Sequence, residues 1–487
     1  MTAIDEVADS ATPLAVEDAR VEAQSASLRK ELGLRDLVLQ QIVYVVGTIW
    51  VGTAAKLGHS QLVFWLAAMA FFYLPQAAVV IALSKRMPLE GGLYQWARLG
   101  LGELAAFMVV WNLWLYAVVF LATVGLLLGT NLSYVIGPTG AWLATNKPFI
   151  MVLNVGMIAA LMTLAARGLG VSKWLHNAGS LMLMFSFVVL IALPFVHMAR
   201  GTLPDYHPFA VAMPALSLFS LNVFGKMAVG ALSGFEYVAV LAGETKDPAR
   251  SIGRATMIAA PVISAMFILG TSSVLAFVPI DKINLIGPIP QVFSIGFGAT
   301  AVGAAMAGVA ILLLTGRSVA NFSIVFTATS RMPMVAGWNS LLPAWFTRLH
   351  PKYRTPLNSI LFVGVVALVF GAAGIAGVGE QEAFQLLDNA AGIFYGMTYL
   401  ILFAIPVVAF RGTDARLPLW LRVASVSGFA VSLLYVVLSV FPIIDVTSWL
   451  SFAIKISAVV VGLNVVGAAL FFAERGRREA GRVRFGT

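Results

Sequence analysis

Twelve apolar segments, each long enough to cross a bilayer, are the feature that most constrains how this chain of 487 residues folds. A helix needs about 20 apolar residues to span the hydrocarbon core. Backbone polar groups at that depth must be satisfied internally, which a helix achieves within one segment. The sequence therefore predicts an all-α integral membrane protein with twelve transmembrane helices. The segments lie near residues 37–58, 61–83, 101–130, 149–168, 177–199, 215–243, 256–279, 297–326, 357–377, 384–410, 418–442 and 450–473.

The composition excludes the soluble globular class. Hydrophobic residues make up 60% of the chain and charged residues only 11%, whereas about 25% charged residues are usual in soluble domains. The net charge of +9 does not indicate nucleic-acid binding, because Lys and Arg concentrate in the chain ends and the even-numbered connections. By the positive-inside rule this distribution predicts a multi-pass protein of the cell membrane, embedded in the lipid bilayer, with both termini in the cytoplasm.

Three regions follow from this pattern. Residues 1–36 form a predicted cytoplasmic N-terminal tail, residues 37–473 the twelve-helix domain, and residues 474–487 a basic cytoplasmic C-terminal tail. The chain has no cysteine, so disulfides and thiolate metal sites are excluded. Its histidines lack metal-ligand spacing, and no nucleophile elbow, phosphate loop or carboxylate pair of a hydrolase is present. We therefore expect no metal, no cofactor and no enzyme activity.

Segments 1 and 6 differ from the others because glycine and polar residues interrupt them halfway along. Non-helical backbone at membrane depth persists only where it is buried in protein or lines a wet cavity, and transporters bind their substrates at such breaks. A separation of five segments gives the two breaks opposite orientations, which predicts inverted five-helix repeats at about 37–199 and 215–410, followed by helices 11 and 12 at about 418–473. The residues at the breaks are Gly47, Thr48, Gly52 and Thr53 in segment 1, and Gly230, Ser233, Gly234, Phe235 and Glu236 in segment 6.

A broken helix has chemistry suited to a zwitterion. The first half ends in free carbonyls with a partial negative charge, and the second half begins with free N–H groups and a partial positive charge. We expect residues 48–53 to supply N–H groups to a carboxylate, and residues 230–233 to supply carbonyls to an ammonium group. The missing Cβ of glycine lets a ligand approach the backbone closely.

Four charged residues lie deep in the predicted spans. A carboxylate at that depth is a functional candidate by default, so Glu236 is expected to handle substrate or protons, or else to bond the N–H groups freed by the break. Lys226, Arg317 and Asp388 either pair with one another or form a coupling site in which a fixed cation takes the place of sodium. Segment 3 adds Trp111, Asn112 and Tyr116, which form either a pocket wall or ordinary packing.

Three stretches resemble the amino acid–polyamine–organocation superfamily. SGFEYVAVLAGETKDPARSIGR, residues 233–254, is similar to the sixth-helix signature of that family. PLEGGLYQWARLGLG, residues 88–102, is similar to its loop before helix 3, and residues 330–356 are similar to its long loop after helix 8. The resemblance implies twelve helices, the leucine-transporter-like inverted repeat, and alternating-access transport of amino acids or polyamines. It places Ser233 and Gly234 in the unwound stretch that binds an amino group, with Glu236 as the adjacent family glutamate.

Two departures from the family pattern bear on substrate and coupling. Many members have a G-S-G triplet in helix 1, whereas VVGTIWVG here matches it clearly only at Gly47. Some proton-coupled members have a lysine in helix 5, and SLMLMFSFVVLIAL, residues 180–193, has no ionisable group. The resulting hypothesis is a secondary transporter for an amino acid, working as a symporter or exchanger with protons or a counter-substrate. The alternatives are a transporter for a polyamine or other organic cation, and a ligand sensor built like a transporter.

Overall fold

The computed structural model describes residues 33–86, 92–167, 169–234, 248–335, 344–351, 353, 355–409 and 418–485. Within these ranges all regular structure is helical. The α-helices in chain order are α1 (Leu34–Val45), α2 (Trp50–Ala55), α3 (Gln61–Ala68), α4 (Leu74–Arg86), α5 (Leu93–Leu101), α6 (Glu103–Leu121), α7 (Val124–Ile136), α8 (Trp142–Thr145), α9 (Lys147–Arg167), α10 (Leu169–Ala199), α11 (Leu218–Gly225), α12 (Pro248–Phe277), α13 (Pro288–Gly296), α14 (Ala301–Val335), α15 (Ala344–Thr347), α16 (Leu357–Ile375), α17 (Glu380–Ala409), α18 (Leu419–Leu438) and α19 (Trp449–Phe485).

In the part of the chain that the structure describes, ten helices are long and apolar enough to cross a membrane. They correspond to ten of the twelve predicted segments. Segments 1 and 6 are absent from this set because neither is one continuous helix. Segment 1 is divided into α1 and α2, and the described part of segment 6 is the shorter apolar helix Leu218–Ala231.

Several boundaries differ from the predicted ones. Segment 3, predicted at 101–130, is a span of Glu103–Ile136 made of α6 and α7. The last helix, α19, continues to Phe485, so most of the predicted C-terminal tail is helical. Its sequence there, AERGRREAGR, is rich in strong helix formers and places Glu474 four residues before Arg478. The apolar stretch ends before residue 474, whereas residues that favour a helix continue beyond it.

The buried apolar residues form two clusters, with the candidate site between them. The first cluster is built mainly on α1–α4, α10–α12 and α18, and the second on α6, α7, α9, α16 and α19; α14 and α17 contribute to both. Small residues permit close approach between membrane helices. A Cβ added at Gly316 of α14 would lie 2.9 Å from the sulfur of Met182 on α10. Helices α10 and α14 therefore approach closely beside Arg317, the next residue of α14.

Candidate functional site

The break in segment 1 lies between Val45, where α1 ends, and Trp50, where α2 begins. The carbonyl oxygen of Val46 lies at the C-terminal end of α1, where carbonyls lack partners within the helix and have a partial negative charge. It accepts a hydrogen bond of 3.1 Å from Nη2 of Arg317 on α14. Arg317 is only 7% exposed, so a buried cation stabilises the carbonyl end of the first broken helix.

The break in segment 6 follows a π-helical turn at Lys226–Ala231. Ser233 and Gly234 are not helical, and Gly234 has φ of +117°, a backbone region that side chains with a Cβ rarely adopt. The N–H of Gly234 donates to the hydroxyl of Tyr399 on α17 at 2.8 Å. The Ser233 hydroxyl donates to the Val229 carbonyl. This break is later than predicted, because Gly230 still belongs to the π-helical turn.

Both breaks border one cavity of about 110 Å³. Its walls come from the two breaks and from α6, α7, α14, α17 and α18. Tyr116 of α6 stacks on Tyr395 of α17 with ring centroids 4.4 Å apart and an interplanar angle of 10°, which gives the cavity a fixed aromatic wall. The predicted site residues that line the cavity are Gly47, Thr48, Tyr116, Gly230, Ser233, Arg317 and Asp388.

A second buried cation lies beside the cavity. Lys226, in the π-helical turn, is 1% exposed, and its Nζ donates to Oδ1 of Asn389 on α17. Its charge interacts with the carboxylate of Asp388, the residue before Asn389 on α17, and Asp388 lines the cavity. Lys226 is therefore absent from the cavity lining, and it acts on the cavity only through its electrostatic interaction with Asp388.

Gly52 and Thr53 do not line the cavity, so they do not supply free N–H groups there as predicted. Helix α2 resumes early enough that both N–H groups donate to the Ile49 carbonyl, at 3.1 and 3.2 Å. Gly52 faces away from the cavity, and a Cβ added there would lie 2.6 Å from Cβ of Pro288 on α13. Its role in the structure is close packing.

Trp111 and Asn112 also lie outside the cavity lining and contact the last helix, α19. Nε1 of Trp111 donates to the Leu463 carbonyl at 3.0 Å, and Nδ2 of Asn112 donates to Oδ1 of Asn464 at 2.8 Å. Residues five positions apart on a helix face different directions, so Trp111 cannot share the face of Tyr116. Asn112 does share that face but lies one turn away, where α19 covers it. Phe235 and Glu236 lie outside the described residues.

Several lining residues were missed by the sequence reasoning, among them Trp50 and Tyr435. Trp50 directly follows the break in segment 1, and an aromatic residue beside a break is a signal that could have been used. Tyr435 of α18 is 1% exposed and fits against a glycine: a Cβ added at Gly225 would lie 3.1 Å from its Cα. Helix α18 lies outside the two predicted repeats, and no local pattern marks Tyr435.

A second cavity, of about 250 Å³, lies apart from the breaks. Its walls come from the turn at His59–Gln61, the connection at 202–210 and residues 272–276 of α12. Across the described residues, no group of three or more His, Asp or Glu side chains is arranged to hold a metal ion. The cavity between the breaks, which alone of these two combines irregular backbone with buried charges, is the candidate site.

Comparisons with known proteins agree with this architecture. Over 377 residues the chain is 27% identical to the methylthioribose transporter of Bacillus subtilis, covering 74% of this chain and 78% of that one. It is 23% identical to the branched-chain amino acid permease BcaP of the same organism, covering 75% and 80%. It is 20% identical to the probable agmatine/putrescine antiporter AguD of Lactococcus lactis, covering 70% and 71%.

Among solved structures, the fold is similar to that of MhsT, a protein with the leucine-transporter fold that was crystallised with L-phenylalanine. The TM-score is 0.57 at 15% identity, covering 82% of this chain and 97% of that one. The family model described as amino acid permease matches residues 37–465, nearly the whole membrane region. The chain is therefore a multi-pass membrane protein that belongs to the amino acid permease family.

Proposed function

We propose that this protein is a secondary transporter that carries a zwitterionic amino acid across the cell membrane by alternating access. The observation that carries the proposal is the convergence of both helix breaks, one guanidinium and one carboxylate on a single cavity. A substrate carboxylate is matched by Arg317, and a substrate ammonium by Asp388 and the carbonyls near Ser233. A guanidinium has five N–H donors, so the bond to Val46 leaves part of the group for a ligand.

The proposal includes twelve spans, ten of them in two inverted repeats at 37–199 and 215–410, with both termini in the cytoplasm. The two breaks are five segments apart in the chain and border the same cavity. Inverted repeats give this arrangement, because an axis in the membrane plane brings corresponding helices together at the midplane. Rocking of one helix group against the other would then expose the cavity to each side in turn.

An organic cation such as a polyamine is the second candidate substrate. The aromatic wall of Tyr116 and Tyr395 and the carboxylate of Asp388 are both suited to an ammonium group. The name of AguD indicates that one relative carries such substrates. Arg317 favours the amino acid, because a buried cation repels a ligand that has only positive charges.

Uptake by the purified full-length chain in liposomes tests these alternatives. The panel pairs labelled amino acids with their decarboxylated amines, and adds putrescine. We expect saturable uptake of at least one amino acid and much weaker uptake of its amine. Uptake of amines alone would support the second candidate, and binding without uptake or exchange would contradict transport altogether.

We further propose that Lys226 and Asp388 couple transport to protons. Asp388 reaches the cavity while its charge interacts with fully buried Lys226, so protonation of the carboxylate changes the charge balance beside the ligand. D388N should abolish acceleration by an imposed proton gradient. It should also weaken exchange of labelled for unlabelled substrate, because Asp388 is a proposed partner of the substrate ammonium. The control is E382Q, which removes a half-exposed carboxylate from the first turn of the same helix. Gradient-driven uptake by D388N at the wild-type rate would exclude this role.

A further inference from the structure

The indole ring of Trp50 bridges the two helix breaks. A Cβ added at Gly47 would lie 2.6 Å from both Cδ1 and Nε1 of Trp50, so the five-membered ring rests against the first break. A Cβ added at Gly230 would lie 2.5 Å from Cη2 and 2.8 Å from Cζ3, so the six-membered ring rests against the turn before the second break. Trp50, Gly47 and Gly230 all line the cavity.

Glycine is required at both ends of the indole for space. Real Cβ atoms do not approach other atoms this closely, so any side chain at either position would displace the ring. Trp50 therefore covers backbone at both breaks. These helix ends are where the ligand binds according to the proposed function. The stacked rings of Tyr116 and Tyr395 line the same cavity.

We propose that Trp50 sets the upper size limit of the transported ligand. The indole occupies the volume between the breaks, and the ligand is confined to the remaining cavity of about 110 Å³, bounded by the tyrosine pair. The indole also presents an aromatic face to the ammonium group of the ligand. The inference rests on the proposed function, since it takes this cavity as the substrate site.

The test is the ratio of uptake of a large amino acid to that of a small one, such as phenylalanine against alanine, in liposomes. W50F shortens the aromatic side chain, and W50A removes it. We expect the ratio to rise at least tenfold in W50A and by an intermediate factor in W50F. W50F retains an aromatic ring between Gly47 and Gly230, so it remains informative if W50A does not fold.

A double variant tests the contact itself. G230A should reduce uptake at least tenfold because its methyl group collides with the indole, and W50F/G230A should recover uptake because the shorter ring leaves space. G156A is the matched control and should match the wild type, because a Cβ there has no neighbour within 4 Å. Wild-type uptake with an unchanged ratio in W50F and no recovery in the double variant would overturn this inference alone. A wild-type protein that transports nothing on the panel would overturn the proposed function and this inference together.

Discussion

The two interrupted segments are alike in sequence but are stabilised in opposite ways. At the first break, a carbonyl oxygen of Val46 is held by the guanidinium of Arg317. At the second, an amide N–H of Gly234 is held by the hydroxyl of Tyr399. One break therefore has a donor as its partner and the other an acceptor. The difference shows that a glycine interruption alone does not specify a break; the neighbouring helices supply a partner of complementary polarity.

Glycine also has different functions at the two breaks. Gly234 has a positive φ of +117°, so glycine is required there by the backbone. Gly47 is in contact with the Trp50 indole, so glycine is required there by the space available. The two requirements respond differently to substitution: a positive φ penalises every residue with a Cβ, whereas a steric conflict is relieved when its partner becomes smaller.

The largest expected effect is that of removing the cation at the first break. R317Q keeps a hydrogen-bond donor but loses the charge, and hydrogen bonds to charged groups contribute about 1.5–3 kcal/mol. Since 1.4 kcal/mol is a factor of ten, we expect uptake to fall about 10- to 100-fold. The control is R422Q, which removes an exposed arginine from α18. Equal losses in the two variants would show that Arg317 has no special relation to the break.

At the second break, G234A tests the backbone requirement. A residue with a Cβ held in a sparsely populated backbone region costs about 1–3 kcal/mol, so the free energy of unfolding in detergent should fall by that amount. Uptake should fall with it. G462A, in α19, is a matched control, because nothing lies within 4 Å of an added Cβ. An unfolding midpoint like that of G462A would mean that the backbone at Gly234 relaxes freely.

Y399F tests the hydrogen bond at the same break, and its effect on stability is expected to be of similar size. It removes the acceptor of both the Gly234 N–H and Nε2 of Gln76, which lies 2.9 Å away. A buried donor left without an acceptor costs about 1–3 kcal/mol, so stability should fall while the backbone stays in place. Y134F removes a hydroxyl that accepts from Asn284, and Tyr134 does not line the cavity. We expect reduced uptake in Y399F but not in Y134F, and the reverse order would contradict the assignment.

The smallest effect separates the two threonines of segment 1. Thr48 lines the cavity, whereas Thr53 lies within α2, with its hydroxyl 3.5 Å from the Ile49 carbonyl. T48V should weaken substrate affinity several-fold, because a net hydrogen bond contributes about 1 kcal/mol. T53V should leave affinity unchanged. Competition binding to the purified protein measures both affinities. Equal losses of affinity in T48V and T53V would indicate that Thr53 also contacts the substrate.

Most of the fold was predictable from hydropathy, because lipid requires each spanning segment to satisfy its own backbone. Ten predicted segments correspond to ten apolar helices, and the two interrupted segments, 1 and 6, are the ones without a continuous long helix in the described residues. The position of each break was less predictable. Gly52 and Thr53 fell within a resumed helix, because glycine and threonine remain helical when tertiary packing favours it.

The lining of the cavity could be predicted in part. Residues directly at a break, such as Gly47 and Ser233, reached the cavity. Trp111 and Asn112 did not, because their side chains are bonded to α19. That helix lies some 350 positions later in the chain, so local sequence does not reveal the contact. Tyr435 could not be found by local reasoning, because its position depends on how α18 packs against α11 and α17.

By itself, the sequence determined that the chain is a multi-pass helical membrane protein with two interrupted helices and a few deep charges. These properties follow from hydropathy and local composition, which act over one helix length. The tertiary structure alone decided that Arg317 meets the carbonyl end of α1, that Tyr399 meets Gly234, and that the Trp50 indole lies between Gly47 and Gly230. Except for the neighbouring Gly47 and Trp50, these pairings join residues far apart in the chain, and only the packing of whole helices brings them into contact.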